Sequence, residues 1–96
     1  MELILYVKGE DSEKLRKILL EDAIVSKANI VFKDAKMLGK EGYYVRVLGS
    51  EEQCKKALEL SKDLAEEVTG AEREKVISIL REEDERMLSG FSGIFR

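Results

Sequence analysis

The chain contains no histidine, proline or tryptophan and a single cysteine, Cys54. Without histidine, the side chain best suited to proton transfer near neutral pH and to metal ligation is missing, and the lone thiol has no imidazole to activate it. No catalytic activity is expected, and no metal or other cofactor. One cysteine excludes an internal disulfide. With a start that lacks a signal-peptide pattern, it leads to the expectation of a reducing, cytoplasmic setting. No apolar run approaches the roughly 20 residues that a bilayer crossing takes, so no membrane partner is expected. A large excess of positive charge is also missing. The net charge is −3, which argues against a nucleic-acid footprint spread over the whole domain.

What is present is a short, highly charged, folded sequence. At 96 residues, 44% of them hydrophobic, it has room for one core and is expected to be one domain. Charged residues reach 39%, a profile similar to proteins from thermophiles, whose surfaces carry ion-pair networks. Met1 to Val7 alternates as a strand and Gly9 ends it. Asp11 or Ser12 caps a helix with Leu15, Ile18 and Leu19 on its buried stripe, ending near Asp22. Ala28 to Lys36 is a second strand, with Ile30 and Phe32 inward. Met37 to Gly42 turns the chain, and Tyr43 to Leu48 returns antiparallel with Tyr43, Val45 and Val47 inward.

Ser50-Glu51-Glu52-Gln53 is a capping box, and the helix behind it places Cys54, Ala57, Leu58, Ser61, Leu64, Ala65 and Val68 on one face. Thr69-Gly70-Ala71-Glu72 is a second capping box. It opens a further helix, with Val76, Ile77, Leu80, Met87 and Leu88 apolar; one long helix bent at Gly70 is the alternative. Residues 1–88 form the expected domain, and residues 89–96 a Gly/Ser tail carrying Phe91, Ile94 and Phe95. The element order βαββα over residues 1 to 68 resembles the start of a ferredoxin-like α/β sandwich, as in ACT domains. The fold class is thus α+β, a two-layer sandwich followed by an extra helix and an aromatic tail. The resemblance rests on element order and implies a fold alone.

Several motifs have a structural explanation. Cys54 reads as a small core residue. Glu13–Lys17, Glu51–Lys55, Glu52–Lys56 and Glu82–Arg86 stand at i, i+4 in the favourable acid-first order, so the acidic run near Arg81 reads as a solvated helix face. Gly39-Lys40-Glu41-Gly42 resembles the GxxG loop of KH domains. That loop joins two helices, whereas this one joins two strands and reads as a hairpin turn.

Two surfaces stay unexplained. The alternation puts Ile4, Tyr6, Lys8, Val31, Lys33, Tyr44, Arg46 and Leu48 on the outer sheet face. Between Ile24 and Gly49, five basic residues face two acidic ones. An apolar face of this kind is expected to be covered by a second copy in a homodimer, by the chain's own tail, or by RNA. The last would be similar to the way RNA-recognition sheets stack bases on aromatic residues. Phe91, Ile94 and Phe95 form the second surface, expected to dock on the chain, enter a neighbouring subunit or bind another protein. The expected function is a small non-enzymatic binding or assembly module, oligomerising through the outer sheet face or the tail. An RNA-associated role and a small-ligand regulatory role, by analogy with ACT domains, are the alternatives.

Overall fold

The alternation of the first strand organises the domain. In β1 (Glu2–Val7), Leu3, Leu5 and Val7 turn to one side and Ile4 and Tyr6 to the other, and each set joins its own apolar cluster. A computed structural model describes the backbone of residues 1–94 and the side chains of residues 1–86. It is a small α+β domain with a four-stranded antiparallel sheet and three α-helices. After β1 come α1 (Ser12–Glu21), β2 (Asn29–Asp34), β3 (Tyr43–Leu48), α2 (Glu51–Ser61), β4 (Ala65–Glu67) and α3 (Gly70–Ile94). The strands lie in the order β2-β3-β1-β4. β1 pairs with β3 from Glu2↔Leu48 to Val7↔Tyr43, and with β4 from Leu5↔Glu67 to Val7↔Ala65.

On one face, Leu3, Leu5, Val7, Val45 and Val47 pack against Leu15 and Leu19 of α1 and Cys54 and Ala57 of α2. Burying a large apolar side chain contributes about 1.5–3 kcal/mol, so this cluster is the main stabilising block. The capping box at α2 forms as expected. Ser50 Oγ accepts from the Gln53 N–H at 3.1 Å, and Gln53 Oε1 accepts from the Ser50 N–H at 2.9 Å. Cys54 is buried in the cluster. In the β2–β3 connection, Gly42 has φ +99°, and a Cβ there would lie 2.5 Å from the Val7 carbonyl oxygen. Only glycine lets the turn close this tightly on β1.

Four expectations need correction. α2 stops at Ser61, so Leu64, Ala65 and Val68 do not continue its face. Ala65 begins β4, which occupies the free edge of β1, with Leu64 in the turn before it and Val68 just after it; Val68 N–H donates to Ile4 O at 2.9 Å. Ala65 and Val68, three residues apart, turn to opposite sides, as extended chain requires, while Leu64, still in the turn, packs on the α1–α2 side with Ala65. Second, Gly70 neither bends one helix nor separates two abutting ones; it begins α3 after a strand. Third, the helix runs through the segment set apart as a tail, reaching Ile94. Fourth, the sandwich gains a third layer. Val76, Ile77 and Leu80 of α3 pack on Ile4 and Tyr44, on the sheet face opposite α1 and α2.

Candidate functional site

The outer sheet face holds the richest group of polar side chains, and α3 closes over it. Tyr6 and Tyr44 are cross-strand partners on β1 and β3, with ring centroids 5.7 Å apart and planes tilted by 58°. Tyr44 is buried, and its hydroxyl donates to Glu72 Oε2 at 2.5 Å. The same oxygen accepts from Lys40 Nζ at 2.8 Å. Lys40 reaches it from the β2–β3 connection, with its ammonium 4.6 Å from the centre of the Tyr6 ring. Tyr6 donates its own hydroxyl to the Glu41 carbonyl. Two tyrosines, a lysine and a glutamate thus interlock where the hairpin, the sheet and the first turn of α3 meet.

The charges respond to this geometry. Hydrogen bonds from Lys40 and then Tyr44 hold the Glu72 carboxyl below its ordinary range. The bond to Glu72 raises the Lys40 ammonium in turn. Burial, and then the bond to Glu72, push the Tyr44 phenol well above its ordinary value. The shifts of Glu72, Lys40 and Tyr44 each favour the form that the group takes at neutral pH, which suits a structural lock.

Further along α3, Glu83 pairs with Lys33 at 2.8 Å and Asp84 with Arg46 at 3.5 Å. Arg46 is 8% exposed, and its Nε has no hydrogen-bond partner. Glu2, at the start of β1, is held from the helix by Arg73, which donates to its carbonyl at 2.7 Å, and by Arg81, 3.5 Å from its carboxylate.

The outer face named from the sequence is therefore real as a face, but it is not an open platform. Ile4, Tyr44 and Arg46 are buried, while Tyr6, Val31 and Lys33 are half-buried. Leu48, at 42% exposure, and Lys8, just past the end of β1, are left largely uncovered. The cover comes from α3 itself, so neither a second copy nor RNA occupies the Tyr44–Arg46 centre. Phe91 and Ile94 fall within the backbone span of α3, their side chains outside the described residues; Phe95 lies outside them altogether.

The carboxylates also need correction. Glu51–Lys55 and Glu82–Arg86 close along their helices, at 2.9 and 3.8 Å, as the acid-first spacing predicts. Glu83 and Asp84, however, face the sheet and not solvent alone. Glu72, which the capping-box pattern directs back to Thr69, turns to Tyr44 and Lys40 instead. Its role was readable in the spacing. Glu72, Val76, Leu80 and Glu83 recur every three to four residues, an acidic–apolar–acidic stripe that mirrors the basic–apolar–basic sheet face. Among the described residues, no cluster of carboxylate or thiol ligands is placed to hold a metal ion, and no helix is long and apolar enough to cross a membrane. Compared with known proteins, the chain matches no family model, no curated protein and no solved structure.

Proposed function

We propose that the chain is a non-enzymatic binding and assembly module acting through the C-terminal reach of α3, with a second copy of itself as its first partner. One observation carries this reading. Glu83 and Asp84 tie α3 to the sheet, and the helix backbone continues ten residues further, to Ile94. At 1.5 Å per residue, the stretch beyond Asp84 is about 15 Å of helix. Its sequence repeats apolar residues at Met87, Leu88, Phe91 and Ile94, three and four apart, the spacing of a stripe that a partner covers.

The ferredoxin-like assignment belongs to the same reading. Two successive β-α-β units and the strand order β4-β1-β3-β2 support it, with α3 an added layer on the otherwise open face. The single buried thiol favours a cytoplasmic location. An RNA role through Tyr6, Tyr44, Lys33 and Arg46 is disfavoured, since Tyr44 and Arg46 are buried and Lys33 is already paired.

Light scattering on the full chain and on a chain ending at Arg86 tests the proposal. The full chain should be a dimer or larger, and the shortened one, which keeps every described sheet contact of α3, should dissociate at least in part. A full chain that is monomeric at high micromolar concentration would overturn it.

A further inference from the structure

We propose that β2 pairs edge to edge with β2 of a second copy, about a two-fold axis at Val31, so that the two sheets become one. The inference deepens the assembly reading and rests on it: it names the surface that the two copies share.

β2 is an open edge strand of full ordinary length. It pairs with β3 alone, over six residues in unbroken register from Asn29↔Leu48 to Asp34↔Tyr43. The opposite edge, β4, has three residues, two of them exposed glutamates. Edge strands are normally guarded by proline, a bulge or a charge. β2 contains no proline and no bulge, and its two charges stand at its C-terminal end, Lys33 paired with Glu83 and Asp34 accepting from the Lys36 N–H. Ile30, Val31 and Phe32 stand only half-buried along it. Among the described residues, the apolar cover of α3 stops short of this side of the sheet: Val31 and Leu48 lie outside the cluster that Val76, Ile77 and Leu80 form with Ile4 and Tyr44. The polar contacts of α3 nevertheless advance toward β2, reaching Lys33 at Glu83. The run of α3 beyond Asp84 therefore starts beside this edge.

The backbone says which groups the edge offers. Ala35 N–H donates inward to Gly42 O, continuing the ladder between β2 and β3. In an antiparallel ladder these groups alternate along the strand, so the N–H and C=O of Ile30, Phe32 and Asp34 face the open side.

The register follows from the faces. Opposed residues in an antiparallel pair point to the same side, and side chains alternate along the strand. Only registers whose residue numbers sum to an even value keep α1 and α2 on one side of the joined sheet. Centring the axis on Val31 sets Val31 against the partner's Val31, Ile30 against the partner's Phe32, and Asn29 against the partner's Lys33. Every apolar residue of the strand then meets an apolar one, and the two Ile30–Phe32 pairs carry the hydrogen bonds. Centring on Phe32 instead sets Val31 against Lys33 and Ile30 against Asp34, pairing apolar side chains with charges. The strand is self-complementary in the first register and not in the second.

Site-directed crosslinking of the full chain tests this. Val31 would form a non-hydrogen-bonded pair with its mate, Cα atoms about 4.5 Å apart, close enough for a disulfide. Val31→Cys should give a covalent dimer under mild oxidation, while Lys33→Cys, two residues off the axis, should not; buried Cys54 stays silent in both. As a second variant, Val31→Lys places like charges across the axis and should raise the dimer dissociation constant about tenfold or more. If light scattering finds a dimer but Val31→Cys does not crosslink, or crosslinks no better than Lys33→Cys, the edge pairing is overturned and the assembly reading stands. A monomeric full chain overturns both.

Discussion

Tyr44 donates its buried hydroxyl to Glu72 at 2.5 Å, joining the centre of the sheet to the first turn of α3. That bond sits at one end of an apolar strip formed by Ile4, Val76, Ile77 and Leu80, with Lys33–Glu83 and Arg46–Asp84 at the other. The helix is thus seated by apolar burial and positioned by polar contacts at both ends. An acidic helix lying on a basic strip of sheet thus pairs three of the five basic residues between Ile24 and Gly49: Lys33, Lys40 and Arg46.

Removing the Glu72 carboxylate should expose how much the lock matters. Glu72→Ala leaves the buried Tyr44 hydroxyl without an acceptor, at a cost of about 1–3 kcal/mol. Glu72→Gln keeps an acceptor oxygen and loses only the charge on a partly exposed pair with Lys40, a change below about 1 kcal/mol. Urea unfolding of the two variants checks the ranking. Equal losses would mean that the charge, and not the Tyr44 bond, carries the contribution.

Acid should weaken the same contact. The Glu72 carboxyl is held below its ordinary value of 4.5 by Lys40 and Tyr44, so the unfolded chain takes up a proton more readily there than the folded one. Its contribution is complete above that value and is lost as pH falls through the lowered folded pKa. Lys40 behaves in the opposite sense: raised above 10.5, it contributes fully below that value and loses its contribution as pH climbs through the folded pKa. Urea midpoints at pH 7 and at about pH 3 should therefore differ less in Glu72→Gln than in the natural chain. Identical acid sensitivity in both would show that other carboxylates dominate.

Two glycines with positive φ should respond very differently to a methyl group. At Gly42 the Cβ would meet the Val7 carbonyl at 2.5 Å and Tyr6 Oη at 3.0 Å, so backbone must move. At Gly70, φ +65°, nothing lies within 4 Å. Gly70→Ala should cost about 1–2 kcal/mol from left-handed strain alone. Gly42→Ala should cost clearly more and loosen the hairpin against β1. Thermal unfolding of both variants decides, and a smaller loss at position 42 would contradict the close approach.

Much of this fold was legible because its signals are local. The alternation in β1 and β3, the capping box at Ser50 and the Leu15–Leu19 stripe each lie within a few residues of sequence, and each matches the structure. β4 was not legible, because it is three residues long, Ala-Glu-Glu, and Leu64, Ala65 and Val68 around it fit the apolar spacing of a continuing helix. The free edge of β1, some sixty residues upstream, decides for the strand. The candidate site was half legible. Tyr44 and Arg46 were assigned to the correct face, but what covers it is a tertiary choice. Two of the partners that settle it, Glu83 and Asp84, lie in an acidic run that taken alone looks solvated.

Arg46 offers the sharpest test of how well that cover fits. Its guanidinium is almost fully buried, its nearest carboxylate, on Asp84, is 3.5 Å away and more than half exposed, and its Nε has no partner. A buried cation with one long contact recovers little of its desolvation cost, and an apolar side chain of similar length avoids that cost altogether. Arg46→Met should therefore be neutral or stabilising by up to about 3 kcal/mol, extending the Ile4–Leu80 cluster by one side chain. Asp84→Ala should be the more harmful change, since it leaves the cation buried without its counter-charge. Lys33→Met, at the half-exposed pair with Glu83, should shift stability by less than about 1 kcal/mol. Urea unfolding of the three variants orders them. A loss above 1 kcal/mol in Arg46→Met would mean that the guanidinium is fully solvated or bonded beneath α3, and that the helix seats on Arg46 as a true ion-pair anchor.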